Sequence, residues 1–263
     1  MNINRDGHVH SHYCPHGSKD NFDKYIFKAL ECGIEEITFT EHFMIPKEIV
    51  EEEFYITCSP DEKSLEKYFQ EINSLKGKYN DQIKINTGLE VDFVEGYEQW
   101  ITNKLNRYGY RLQDGILSVH FVKFKGKYYS VDILEYFEKL LFKVGSLEKV
   151  YDLYFDTLLK SIKSDLGEFK PKRIGHPTLI RIFNSKYPYE YNNKNKIDQI
   201  LEEIKKRDYE IDVNTAGLRK PYCNEIYPSG YFFSKAKELN IKMVYGSDSH
   251  RAEDVGKNFT LSL

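Results

Sequence analysis

Apolar and polar positions alternate in short runs along this chain and then change period. Glu36-Ile37-Thr38-Phe39-Thr40, Ile83-Lys84-Ile85-Asn86-Thr87-Gly88-Leu89 and Tyr209-Glu210-Ile211-Asp212-Val213 read as strands, with apolar residues recurring at or near every second position. Ile3 to His12, Ile116-Leu117-Ser118-Val119, Arg173-Ile174-Gly175 and Ile241-Lys242-Met243-Val244-Tyr245 read as four more. Between them, Asp20 to Cys32 and Ser64 to Tyr79 carry apolar residues at helical spacing, the first stopped by Gly33. Val131 to Gly167 predicts two helices rich in Tyr, Phe and Leu, an insertion placed as a lid or flank. Strands alternating with helices predict an α/β fold, a parallel sheet wrapped by helices. No Ser/Gly linker, repeat or charge block divides residues 1–263, so one domain is expected throughout.

Each predicted strand runs into a polar ending. The first leads into Asp6-Gly7-His8-Val9-His10-Ser11-His12-Tyr13-Cys14-Pro15-His16, and others end at His42, at Glu90-Val91-Asp92, at His120, at His176-Pro177, at Asn214 and at Ser247-Asp248-Ser249-His250. Strand alternation puts His8 and His10 on one face, and two imidazoles converging on one point begin a metal site that His16 continues after the turn at Pro15. A lone histidine after a strand is as readily a hydrogen-bonded core residue as a ligand. What gives His42, His120 and His176 weight is their joint placement at the C-terminal ends of strands, where (β/α) barrels carry their active sites.

Composition narrows the function. Lys plus Arg number 38 against 41 Asp plus Glu, a net charge of −3, so no global basic field speaks for nucleic acid. Cys14, Cys32, Cys58 and Cys223 show no CxxC pairing and are expected as free thiols of a reducing cytosol. No apolar run approaches the ~20 residues of a membrane span, and Met1 to His12 lacks a signal-peptide core, so a soluble cytoplasmic protein without membrane partners is expected.

The motifs Asp-Gly-His-Val-His with His16 downstream, Thr40-Glu41-His42, Gly88-Leu89-Glu90, Ser118-Val119-His120, Gly175-His176-Pro177 and Ser247-Asp248-Ser249-His250 resemble those of the polymerase and histidinol phosphatase (PHP) superfamily. Cys14-Pro15-His16-Gly17-Ser18, Asn214-Thr215-Ala216-Gly217-Leu218-Arg219-Lys220 and Tyr227-Pro228-Ser229 are most similar to its bacterial histidinol-phosphate phosphatases. The resemblance spans essentially the whole chain. It implies a distorted (β/α)7 barrel with three divalent metal ions, one held by His8, His10, Glu90 and Asp248, a second by His16, His42 and His250, and a third by His120, His176 and a bridging Glu90. Glu90, Asp248 and His250 are thereby the expected catalytic residues. His12 is left outside the ligand set.

Mixed imidazole and carboxylate ligation suits Zn, Fe or Mn, and the sequence does not select among them. Three divalent ions outweigh two carboxylates and a bridging hydroxide, leaving the electropositive site that a dianionic phosphomonoester requires; attack by that hydroxide needs no protein nucleophile. Arg219 and Lys220 are candidate phosphate clamps, with Arg181 a weaker one. Among Tyr187, Tyr189 and Tyr191, one ring is a candidate cover for the substrate's imidazole, the others flank packing. The expected activity is hydrolysis of L-histidinol phosphate by a monomer or small homo-oligomer. The alternative is a phosphotyrosine-protein phosphatase or other phosphoesterase of the same superfamily; a nuclease would want a basic groove.

Overall fold

The computed structural model describes residues 2–260. Among them nine strands follow in chain order: β1 (Arg5–Val9), β2 (Glu36–His42), β3 (Lys84–Asp92), β4 (Ile116–Ser118), β5 (Phe121–Phe124), β6 (Lys127–Ser130), β7 (Arg173–Ile174), β8 (Glu210–Asn214) and β9 (Met243–Gly246). Seven form one sheet in the order β1-β2-β3-β4-β7-β8-β9, every pairing parallel, while β5 and β6 make a separate antiparallel hairpin. The helices are α1 (Phe22–Glu31), α2 (Glu52–Cys58), α3 (Glu62–Lys78), α4 (Glu98–Tyr108), α5 (Leu134–Val144), α6 (Leu147–Lys163), α7 (Lys194–Lys206) and α8 (Gly230–Glu238). None is long and apolar enough to cross a membrane.

The ring closes without a full ladder between its ends. Val9 bridges Ser249, the His10 amide donates to the Ser249 carbonyl at 2.9 Å, and the Asp248 amide donates to the His8 carbonyl at 2.7 Å. Asp6, fully buried, accepts from the Ser247 amide at 2.9 Å and the Gly256 amide at 3.0 Å, tying β1 to the last segment of the chain. Burial lifts its carboxyl to about 6 against the pull of these hydrogen bonds. The seven sheet strands match the expected ones, except that β1 stops at Val9, with its register shifting between Asp6 and Val9, instead of running to His12. A turn closed by the Cys14 amide on the Ser11 carbonyl at 3.1 Å claims the following residues.

Alternation along β2 and β3 sends Ile37, Phe39, Ile85, Leu89 and Val91 outward, where they pack with Ile26, Leu65 and Ile72 of the helix layer. That layer between ring and helices is the apolar core; the barrel interior is polar. At the N-terminal ends of the strands the buried Arg173 guanidinium donates to Asp114 at 2.7 Å and to the Gly7 carbonyl at 2.8 Å, and Arg5 reaches the same Asp114 oxygen at 2.9 Å. Gly7 is required here, because a Cβ would stand 3.1 Å from the Arg173 side chain and 2.7 Å from Val244 Cγ1. Charge floors the barrel and leaves the opposite mouth for chemistry.

The predicted helical insertion is α5 and α6, joined by Gly145 at φ 92° and by Ser146, whose hydroxyl caps α6. Lys170 ends that unit: its buried ammonium donates to the carbonyls of Ser161, Ile162 and Ser164 at 2.6–2.8 Å. The β5–β6 hairpin precedes the insertion, turning through Lys125 at φ 48° and Gly126 at φ 78°.

Candidate metal centre

All nine side chains expected as ligands converge at the C-terminal mouth of the barrel. His8 and His10 face each other with Nε2 atoms 3.3 Å apart. Glu90 Oε2 lies 3.5 Å from His8 Nε2 and 3.4 Å from His10 Nε2, and Asp248 Oδ1 lies 3.7 and 3.2 Å from the same atoms. Donors about 2.0–2.2 Å from a tetrahedral ion stand about 3.3–3.6 Å from one another, so this quartet has the edge lengths of a coordination shell. Glu90 turns its other oxygen away: Oε1 is 2.9 Å from His176 Nε2 and 3.8 Å from His120 Nε2, and it accepts from the Ser118 hydroxyl at 2.6 Å. One carboxylate thus faces two donor sets.

The third set is looser. His42 Nδ1 lies 3.3 Å from Glu90 Oε2, while its Nε2 is buried without a partner, the condition of an imidazole nitrogen shaped for an ion. His16 and His250 approach with Nε2 atoms 3.0 Å apart and stacked rings. Ligand atoms of His10, Cys14, His42 and His250 all lie within 4.8 Å of one another, so the Cys14 thiol stands beside this set. Burial pushes that thiol up to about 12, and the charge of Glu41 adds to it, so it is protonated at neutral pH. His12 is turned elsewhere, its ring against Tyr13 and Phe22 and its Nε2 3.5 Å from Glu71.

Outer groups fix the ring orientations. Asp212 accepts from His8 Nδ1 at 2.8 Å, Asp92 from His120 Nδ1 at 2.8 Å, and the Thr57 carbonyl from His16 Nδ1 at 2.8 Å, each leaving Nε2 for the site. Asn214 donates to Asp212 at 3.1 Å and to Asp248 at 3.2 Å, joining the two carboxylates. Asp212 and Asn214 were legible only as polar residues two apart on a strand. His176 and Asp248 hold φ values of 23° and 50°, uncommon for residues with side chains and costing about 1–3 kcal/mol each. Strain of this kind gathers where side-chain direction matters more than comfort.

Electrostatics inside the cluster is set by proximity. Burial disfavours a charge on His8, yet Asp248, Asp212 and Glu90 outweigh it and raise the imidazole to about 10. Glu90 and Asp248 stay well below the usual carboxylate range although burial works against them, because the histidines hold the charge. His42 and His250 are depressed by burial and by the nearby His10, and remain neutral.

Above the cluster opens a cavity of about 510 Å³. Phe54, Phe121, Ile133, Leu179 and Ile182 give its lining apolar surface, and Arg219, Lys220 and Arg251 give it positive charge. Lys220 pairs with no group among the described residues, whereas Arg219 donates to the Ser247 carbonyl at 2.5 Å and lies 3.5 Å from Asp254. Arg181 departs from expectation: it is not on this cavity. Its guanidinium is bidentate on Glu225 at 2.7 and 2.8 Å and donates to the Tyr189 carbonyl, in a neighbouring hollow walled by Tyr151 and Tyr191. Glu225 claims it first. Tyr187 and Tyr191 likewise spend their hydroxyls on Glu138 and Asp152.

A seven-stranded parallel barrel with imidazoles and carboxylates gathered at its C-terminal mouth defines a metal-dependent hydrolase. Residues 6–216 match the PHP domain. The chain belongs to the PHP domain family and, within it, to the histidinol-phosphatase group. It is 41% identical to the histidinol-phosphatase of Bacillus subtilis over 255 residues, 96% of this chain and 95% of that one. A crystal structure of the provisionally assigned histidinol phosphatase of Listeria monocytogenes superposes with a TM-score of 0.93 at 37% identity, covering 97% of this chain and 98% of the other. The fold is shared at 23% identity, TM-score 0.68, with the Lactococcus lactis histidinol phosphate phosphatase, solved with zinc, L-histidinol and phosphate; the match covers 94% of this chain and 86% of that one.

Proposed function

We propose that this protein hydrolyses L-histidinol phosphate to L-histidinol and phosphate with three divalent transition metals, held by His8, His10, Glu90 and Asp248, by His16, His42 and His250, and by His120, His176 and Glu90. The observation that carries this reading is the convergence of those nine side chains in one cluster, seven of them lining a cavity that basic and apolar side chains also line. The 41% identity to a histidinol-phosphatase supports the substrate. When bound, the ions supply Lewis-acid charge to the phosphoryl oxygens and make a water acidic enough to attack near neutral pH.

The chain's own residues prepare the site. Ser118 fixes Glu90, Asp212 and Asp92 fix His8 and His120, and each ring nitrogen is thereby aimed before anything binds. Lys220 meets a phosphate oxygen from the basic rim with a charge that no described residue consumes. Arg219 is a positioning residue as well as a rim cation, since it grips the carbonyl preceding Asp248. The apolar wall keeps water from the leaving group's side.

The test is phosphate release from phosphorylated metabolites and a phosphotyrosine peptide, after loading the protein with Zn, Fe or Mn. The expected result is highest kcat/KM on histidinol phosphate with metal content approaching three ions per chain. Preference for the phosphopeptide would overturn the substrate, and saturation at one ion would overturn the trinuclear site.

A further inference from the structure

The cavity is lined by five carboxylates, and four of them are occupied. Glu90 and Asp248 serve the histidine cluster, Asp92 holds His120, and Asp254 pairs with Lys257 at 2.8 Å and faces Arg219. The fifth, Asp132, forms no ion pair among the described residues, although its charge reaches His120 and His16. One of its oxygens accepts from the Ser130 hydroxyl at 2.5 Å, and that hydroxyl in turn accepts from the Ile133 amide at 3.2 Å. Ser130 is therefore locked from both sides, and the carboxylate is held in place with its second oxygen uncommitted. Asp132 stands between the end of β6 and the start of α5, next to Ile133, and lines the same cavity as Phe54, Phe121, Arg219 and Lys220.

We propose that Asp132 is a specificity residue that binds the primary ammonium of the substrate, while the ring beyond it packs on the apolar wall; this rests on the histidinol phosphate reading given above. The chemistry of the site requires such a group. An amine two carbons from the ester oxygen is brought close to a cluster of divalent cations whenever the phosphate docks, and that repulsion is strong at short range in a partly dry cavity. A carboxylate held by Ser130 on the cavity lining offsets it and also orients the leaving group. At neutral pH the amine is the charged end and the imidazole is mostly neutral, so the ammonium is the matching partner. The insertion thus acquires a purpose: it carries the residue that tells an aminoalkyl phosphate from a plain one.

The test compares metal-loaded wild-type protein with Asp132→Asn, which keeps the shape and an acceptor for Ser130. Three substrates are used: L-histidinol phosphate, 3-(imidazol-4-yl)propyl phosphate, which lacks only the amine, and p-nitrophenyl phosphate. Loss of a charged hydrogen bond is expected to lower kcat/KM on histidinol phosphate on the order of 10- to 100-fold, mainly through KM. The two substrates without an amine should change less than about twofold, and metal content should stay the same. Equal losses on the des-amino substrate, wild-type kinetics on histidinol phosphate, or loss of bound metal would each overturn the assignment. If unmutated protein cleaves p-nitrophenyl phosphate but not histidinol phosphate, the substrate reading itself fails and the assignment falls with it.

Discussion

Arg219 and Lys220 are neighbours in sequence and differ in what their charges already do. Lys220 has no partner among the described residues, so Lys220→Met is expected to lower kcat/KM about 10- to 100-fold on every phosphomonoester, p-nitrophenyl phosphate included, with metal content unchanged. A loss limited to histidinol phosphate would move Lys220 from the phosphate to the other end of the substrate. Asp212 never touches an ion in the proposed arrangement; it holds His8 from behind at 2.8 Å. Asp212→Asn should nonetheless weaken metal affinity or activity about 10- to 100-fold, read by chelator competition, and full affinity would show that His8 needs no such support. Lys220 lay in a motif visible in the sequence and Asp212 on a strand read from its alternation, but what each charge already does was not legible there. Spacing tells which residues share a face, and not which charges are spent: Arg181, the weaker of the three candidate clamps, has its guanidinium taken by Glu225.

At the level of elements, the barrel has two charged ends with separate duties. Arg173, buried at the floor, neutralises Asp114. Arg173→Leu leaves that carboxylate with Arg5 alone and should cost about 3–5 kcal/mol in urea denaturation, while kcat of the protein that remains folded stays within about twofold. An unchanged unfolding midpoint would mean that the network is balanced by its desolvation. The strands β2 and β3 were readable because their alternation is regular, and β7, only two residues long, because it leads into Gly175-His176-Pro177. The hairpin β5–β6 was missed, since its only turn signal is Lys125-Gly126. Helix α7 was missed as well, although Ile197, Ile200, Leu201 and Ile204 stand at helical spacing, because its capping residue Asn193 sits in a run of asparagine and lysine that looks like loop.

For the molecule as a whole, protons and metal ions compete for one cluster. In the metal-free chain His8 is raised to about 10 by its carboxylates, so its stabilising charge is fully present below the ordinary 6.5 and is lost as pH rises through about 10. An ion needs the neutral imidazole. Between those values metal binding must release protons, and apparent affinity should rise about tenfold per pH unit for each proton displaced, measured by chelator competition at pH 7 and pH 8. A pH-independent affinity would show that the bound form keeps the proton elsewhere. The nine expected ligands followed from the family resemblance, with the polar strand ends pointing the same way; that Cys14 stands beside them, or that one glutamate faces two donor sets, depends on distances that only the closed barrel sets.

The seam between β1 and the segment from Gly246 to Gly256 has a consequence during synthesis. On the ribosome, β1 emerges long before its seam partners, so until they follow the sheet has an open edge at β1 and, later, at β8. His8 and His10 are then exposed to solvent ions with neither Asp248 nor His250 to complete a shell. An unpaired parallel edge invites wrong strand pairing, and such long-range contacts form slowly. The nascent protein is therefore most at risk of aggregating, or of holding a stray ion, until the segment from Gly246 to Gly256 leaves the exit tunnel, and a pause before that point would lengthen the exposure.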